Sequence, residues 1–138
     1  MATRFYLPST GSAPSTPAYG TNWDDTGAAS RLPTSTSKQS TAMTTVQDAD
    51  TSTGNTDHLY RQYVSGTIAG TTISAQTIKF QIRALESNAK NDAVIAIEIR
   101  VVQSDGSPRG TVLSLTRDTT ELATSIVQLN AGFFYERR

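Results

Sequence analysis

Thr77–Thr116 reads TIKFQIRALE-SNAKND-AVIAIEIRVVQ-SDGSPRG-TVLSLT, three largely apolar runs separated by two polar turns. In the first run Ile78, Phe80, Ile82 and Ala84 alternate with Thr77, Lys79, Gln81 and Arg83. In the second, Ala93, Ile95, Ile97, Ile99 and Val101 alternate with Val94, Ala96, Glu98, Arg100 and Val102. A period of two sends successive side chains to opposite faces of a sheet, so each run has an apolar face and a wetter one. Ser87–Asp92 and Ser104–Gly110 hold the residue types that turns favour, Gly for positive φ and Asn or Asp for bonds to the nearby backbone. The expectation is an antiparallel three-stranded meander with one buried face. The fold class that follows is all-β, an antiparallel sandwich.

The chain around it is 138 residues long, a length that favours one core over two. Formal charge is zero with 17% charged residues, so nothing marks a partner with a nucleic-acid or anionic-membrane surface. Cysteine is absent, which removes disulfides, thiolate chemistry and Cys-based zinc sites. The opening MATRFYLPSTGSAP has no apolar run of signal-peptide length, and no segment approaches the roughly 18 apolar residues of a membrane helix. A soluble protein without cofactor is expected.

Residues 1–57 differ from the rest. They contain four of the five prolines, Pro8, Pro14, Pro17 and Pro33, amid much Ser and Thr. Proline fixes φ and lacks an amide donor, so neither helix nor central strand is expected there. Phe5, Tyr6, Tyr19 and Trp23 are spaced as anchors, against the composition of a solvated tail. Ordering a residue costs about 1–2 kcal/mol of backbone entropy. One buried large side chain returns only about 1.5–3 kcal/mol. A few anchors therefore cannot order this segment unaided, and surface outside it must help. The expected division is an extended assembly arm over 1–57 and a β-sandwich domain over 58–138.

Further strands are expected over Ser37–Val46, His58–Val64 and Glu121–Leu129, with a turn at Arg117–Thr120. Phe133, Phe134 and Tyr135 stand side by side near the end. Neighbours on a strand face opposite ways, so at least one of these rings needs a partner to cover it.

Chemistry has little to stand on. His58 is the single histidine, and beside Asp57 it reads as structural. Glu86 and Glu98 flank the first turn without a defined cleft, which is weak ground for glycosidase chemistry. No nucleophile elbow, metalloprotease pair, phosphate loop or dinucleotide fingerprint occurs. Asp48–Asp57 offers oxygen ligands at alternate positions, but Thr53 and Leu59 stand where a calcium loop of the EF-hand type needs Gly and Glu. It reads as a solvated loop, and no metal site is expected. Lys79, Arg83 and Arg100 make a modest basic stripe without an aromatic, an ordinary wet face. Trp23, Tyr19 and Tyr60 are the available platforms for a sugar.

Four ordered blocks carry a resemblance: MATRFYLPSTGSAPSTPAYGTNWDDT, HLYRQYVSG, TISAQTIKFQIRALESN and IRVVQSDGSPRGTVLSLTRDTTELATS. Together they resemble small virion-associated structural proteins of tailed bacteriophages, from Met1 to about Ser125. The resemblance implies a jelly-roll-like sandwich, a place in the virion after synthesis in the host cytoplasm, and no catalytic residues. It also implies copies of the same chain and other virion proteins as partners, in a homo-oligomer that decorates a capsid or belongs to a tail. The expected assembly contacts are Phe5, Tyr6, Tyr19 and Trp23 at one end, with Phe133, Phe134 and Tyr135 at the other. The rival expectation is a glycan-binding module of a phage fibre or spike.

Overall fold

The computed structural model describes residues 4–26, 29–38, 54–69, 72, 76–90 and 92–135. All six regular elements are strands, and no helix occurs among the described residues. They are β1 (Ser30–Pro33), β2 (Arg61–Val64), β3 (Gln76–Ala84), β4 (Val94–Val102), β5 (Pro108–Glu121) and β6 (Val127–Tyr135). Each pairs with one other strand, giving three two-stranded sheets: β1 with β2, β3 with β6, and β4 with β5. The chain divides into two compact units, one of residues 1–69 with 102–108 and one of 70–101 with 109–138.

In the first unit β1 and β2 run parallel, Ser30 opposite Arg61 and Pro33 opposite Val64. An earlier bridge sets Asp25 opposite His58, so the partner offset falls by two residues between the bridge and the ladder. Past the ladder the amides of Thr34 and Ser35 point to opposite sides. Thr34 donates to Val64 O at 2.9 Å, and Ser35 donates to Tyr6 O at 2.9 Å while accepting from Tyr6 N at 2.7 Å. The proline-rich segment is thus laced onto Asp57–Val64 of its own chain. Among the described residues, Leu32, Leu59 and Val64 are the buried apolar side chains here, together with Pro8 and Pro17 of the proline-rich segment.

The second unit contains β3 and β6, antiparallel over nine pairs from Gln76 opposite Tyr135 to Ala84 opposite Val127. Along β3 the expected alternation holds: Thr77, Lys79, Gln81 and Arg83 are exposed, and Ile78, Phe80, Ile82 and Ala84 are half-buried. The meander does not. β3 hydrogen-bonds to β6 rather than β4, with β4 and β5 nested between them in the chain. The two ladders extend past their strands, Glu86 N donating to Ala123 O at 3.1 Å and Leu122 N to Ala93 O at 2.8 Å. Leu85–Ala93 is therefore a connection between sheets and not a hairpin turn.

β4 departs from the expected wet and dry faces. Its residues from Ile95 to Val102 are all half-buried, and the Glu98 and Arg100 side chains are only 7% and 20% exposed. A nearly continuous apolar run suits a strand covered on both sides, and the alternation of Ile with Ala, Glu and Arg masks that. Arg117–Thr120 lies inside β5, and the break falls instead at Leu122–Ile126. Asp118 Oδ1 accepts the Thr120 amide at 3.1 Å, a local bond that imitates turn chemistry within a strand. β5 has 14 residues against nine in β4, so β5 must shed its excess in bulges or a bend. Among the described residues, Val112, Leu113 and Leu122 are the buried apolar side chains of this unit. The strand expected over Ser37–Val46 lies outside the described residues beyond Lys38, as does the Asp48–Asp57 loop up to Thr53.

Candidate functional site

The groups that converge most are on the seam holding the N-terminal segment. Arg31 sits on β1 with its guanidinium carbon 3.9 Å from the centroid of the Tyr19 ring, in cation–π geometry. Its Nε donates to Pro17 O at 2.9 Å and to Gln62 Oε1 at 3.0 Å. Gln62, on β2, returns a donor from Nε2 to Ala18 O at 3.4 Å. The Tyr19 hydroxyl donates to Ala29 O. A loop lacking regular structure is thereby braced against the ladder through one planar cation, whose single Nε–H is shared between two acceptors.

The other end of the seam is polar. Asp24 Oδ2 accepts the Asp57 amide at 2.9 Å. Asp57 O accepts from the amides of Asp24 and Asp25, and Leu59 N donates to Asp25 O at 2.8 Å. His58 Nδ1 lies 3.1 Å from Asp25 Oδ2, with the imidazole buried and the carboxylate half exposed. The imidazole tilts by 53° against Tyr60, centroids 5.1 Å apart. His58 thus serves the seam.

Beyond Thr34 and Val64 the two segments no longer pair, and an open groove of about 500 Å³ lies between them. Phe5 and Ile68 line it with Thr34–Thr36 and Gly66–Thr67. The two apolar side chains are 44% and 58% exposed, so the wall they form is greasy and open to solvent.

The β4–β5 loop completes the first unit. Gly106 N donates to Gln103 O and Gln103 N to Ser107 O, both at 2.9 Å. With Gly106 at φ 88° this is a tight turn closed by a left-handed residue, the pattern of a hairpin with a glycine bulge. Asp105 Oδ1 accepts the Ser107 amide at 2.9 Å and its hydroxyl at 2.7 Å. Those two bonds hold the Asp105 carboxyl below the usual carboxylate range, the amide contributing most. A Cβ on Gly106 would come within 3.1 Å of Pro17 Cα and N. Only a glycine lets the turn lie this close to the segment's backbone.

No protein family, curated protein or solved structure matches this chain.

Of the expected assembly contacts, Phe5 is exposed at the groove, Tyr6 is bridged to Ser35, and Tyr19 and Trp23 are half-buried. Phe133, Phe134 and Tyr135 fall in β6, opposite Ile78, Thr77 and Gln76. The three sugar platforms differ in setting: Tyr19 lies under Arg31, Trp23 is half-buried and Tyr60 tilts on His58. Glu86 is buried, its Oε2 accepting the Ala93 amide at 3.4 Å, and so braces the connection after β3. Glu98 Oε2 stands 3.9 Å from Arg100 Nε, which takes Arg100 out of the expected basic stripe and leaves Lys79 and Arg83 exposed on β3. Among the described residues no group of three metal-ligating side chains occurs. No helix among them is long and apolar enough to cross a membrane.

Sequence reasoning passed over Arg31, Gln62 and the contact of Gly106 with Pro17. Ser-Asp-Gly-Ser announces the turn, but nothing local announces what the turn packs on. Arg31 and Gln62 are single polar residues 31 positions apart, and only the ladder brings them together.

Proposed function

We propose that this chain is a structural subunit of a bacteriophage virion, a capsid-decoration or tail-associated protein that assembles through its N-terminal segment and sheet edges. Its partners are copies of itself and other virion proteins, and it performs no catalysis. One observation carries this reading. Among the described residues the strands form only two-stranded sheets, and the buried apolar side chains are few: Pro8, Pro17, Leu32, Leu59 and Val64 in the first unit and Val112, Leu113 and Leu122 in the second. Two-stranded sheets are marginal in water, and stable ones add strands or a packed face. An open edge accepts a strand from outside through main-chain hydrogen bonds, and leaving it uncovered invites uncontrolled association.

The resemblance of the four sequence blocks to virion-associated proteins supplies the setting. In that setting added strands complete an antiparallel, jelly-roll-like sandwich. The exposed Phe5 and Ile68 then become contact surface. Antibodies against the chain test this on density-purified phage particles from the culture that expresses it. The chain is expected in the particle fraction, at a fixed ratio to the major capsid or tail protein. Its confinement to the soluble fraction, with particles present, overturns the proposal.

A further inference from the structure

The segment from Arg4 to Ser35 is braced within itself. Tyr6 pairs with Ser35, the Tyr19 hydroxyl bonds to Ala29 O, and Arg31 holds both Pro17 O and the Tyr19 ring. Its ties to the remainder of the first unit are of another kind. They are the β1–β2 ladder, the bridge of Asp25 to His58, the bonds between Arg31, Ala18 and Gln62, and the seat of Pro17 under Gly106. The segment is thus a preformed piece that docks on a receptor surface made of Asp57–Val64 and the β4–β5 loop.

That receptor surface is the same in every copy. Main-chain donors and acceptors, Gln62 and His58 recognise a segment by its sequence and not by the chain it belongs to. Connectivity alone decides which one docks. Because β1 and β2 are parallel, the chain must travel back along the ladder before it can pair, and 27 residues separate the two strands. A connection of this length gives the chain's own segment an effective concentration on the order of millimolar. Neighbouring copies packed in an assembly supply their segments at a comparable concentration. Exchange replaces every contact by an identical one and joins two chains at no cost in buried surface.

We propose that residues 4–35 are exchanged between copies, so that β1 of one chain pairs with β2 of another. This rests on the assembly reading above and names the contact that performs it. Each first unit is then composite, its Leu32 contributed by a second copy. The Phe5 side of the groove has the same origin.

The absence of cysteine makes the test direct. Ser30 stands opposite Arg61 across the ladder, whereas Tyr6 stands opposite Ser35 inside the segment. The full-length double variants Ser30→Cys/Arg61→Cys and Tyr6→Cys/Ser35→Cys are oxidised, or bridged by a short bismaleimide, at high protein concentration. They are then run on a non-reducing gel. Exchange predicts that the first variant moves mostly into covalent dimers and larger species while the second stays at monomer mass. Mixing singly substituted Ser30→Cys and Arg61→Cys chains with different tags, unfolding and refolding them together, then gives a disulfide carrying both tags. The second variant also reports that the substituted chain folds and that its bridge forms. If the first variant instead closes within one chain, exchange is wrong. Light scattering on the same sample separates the two ideas. An oligomer with intrachain bridges sinks exchange alone, and a monomer at every concentration sinks the assembly reading with it.

Discussion

Gly106 shows how much one residue can decide here. Its φ of 88° already disfavours a side chain, and an added methyl would stand 3.1 Å from the Pro17 backbone, which cannot rotate away. Gly106→Ala is therefore expected to cost about 1–3 kcal/mol, the usual toll of a side chain in a strained backbone region. Gly110→Ala is the control, because no atom lies within 4 Å of the Cβ it would add. Urea denaturation should show a lowered midpoint for Gly106→Ala and a shift within about 0.5 kcal/mol for Gly110→Ala. Equal effects at both positions would mean that the loop does not rest on Pro17. Arg31 makes the complementary point: its Nε–H, shared by Pro17 O and Gln62 Oε1, and its planar stack on Tyr19 are lost in a lysine, whatever the charge.

At the scale of elements, β3 is the strand most legible in the sequence. Its alternation from Thr77 to Ala84 reappears residue by residue as exposed and half-buried positions, because one face of β3 is packed and the other is wet. Ile82→Ala is expected to cost about 1–3 kcal/mol, less than a fully buried deletion because Ile82 is half-buried. The neighbouring exposed Gln81→Ala should stay within about 0.5 kcal/mol. Thermal melts of the two variants decide it, and indistinguishable melts would put the packed face on the wrong side. Partners were not legible. Periodicity says that a run is a strand, and turn residues say where it ends, but neither names the strand across the ladder. β3 skips the adjacent hairpin to reach β6, and β1 pairs with β2 across 27 intervening residues. The seam followed the same rule. Anchors such as Tyr19 could be picked out as aromatics in a proline-rich segment, whereas the Arg31–Gln62 tie depends on register that only the folded backbone sets.

For the molecule as a whole, the question is what completes two units that bury so few apolar side chains among the described residues. Two-stranded sheets do not supply the missing burial, since each strand pair leaves outer edges and at least one face to be covered. Val94, Leu85 and Ile126 in the second unit, with Phe5 and Ile68 in the first, already place apolar surface in water. If other copies cover that surface, folding and association are one equilibrium, and stability depends on protein concentration. For a dimer, a hundredfold rise in concentration stabilises each chain by about 1.4 kcal/mol, half of RT ln 100 per dimer. For a chain of this size that corresponds to about 4–6 °C in the thermal midpoint. Scanning calorimetry from the low micromolar range upward, with light scattering on the same samples, is expected to show the midpoint climbing as the mass rises above that of one chain. A midpoint independent of concentration, at monomer mass throughout, would place the stabilising contacts inside a single chain. The open strand edges would then need covering by some other means than copies of this protein.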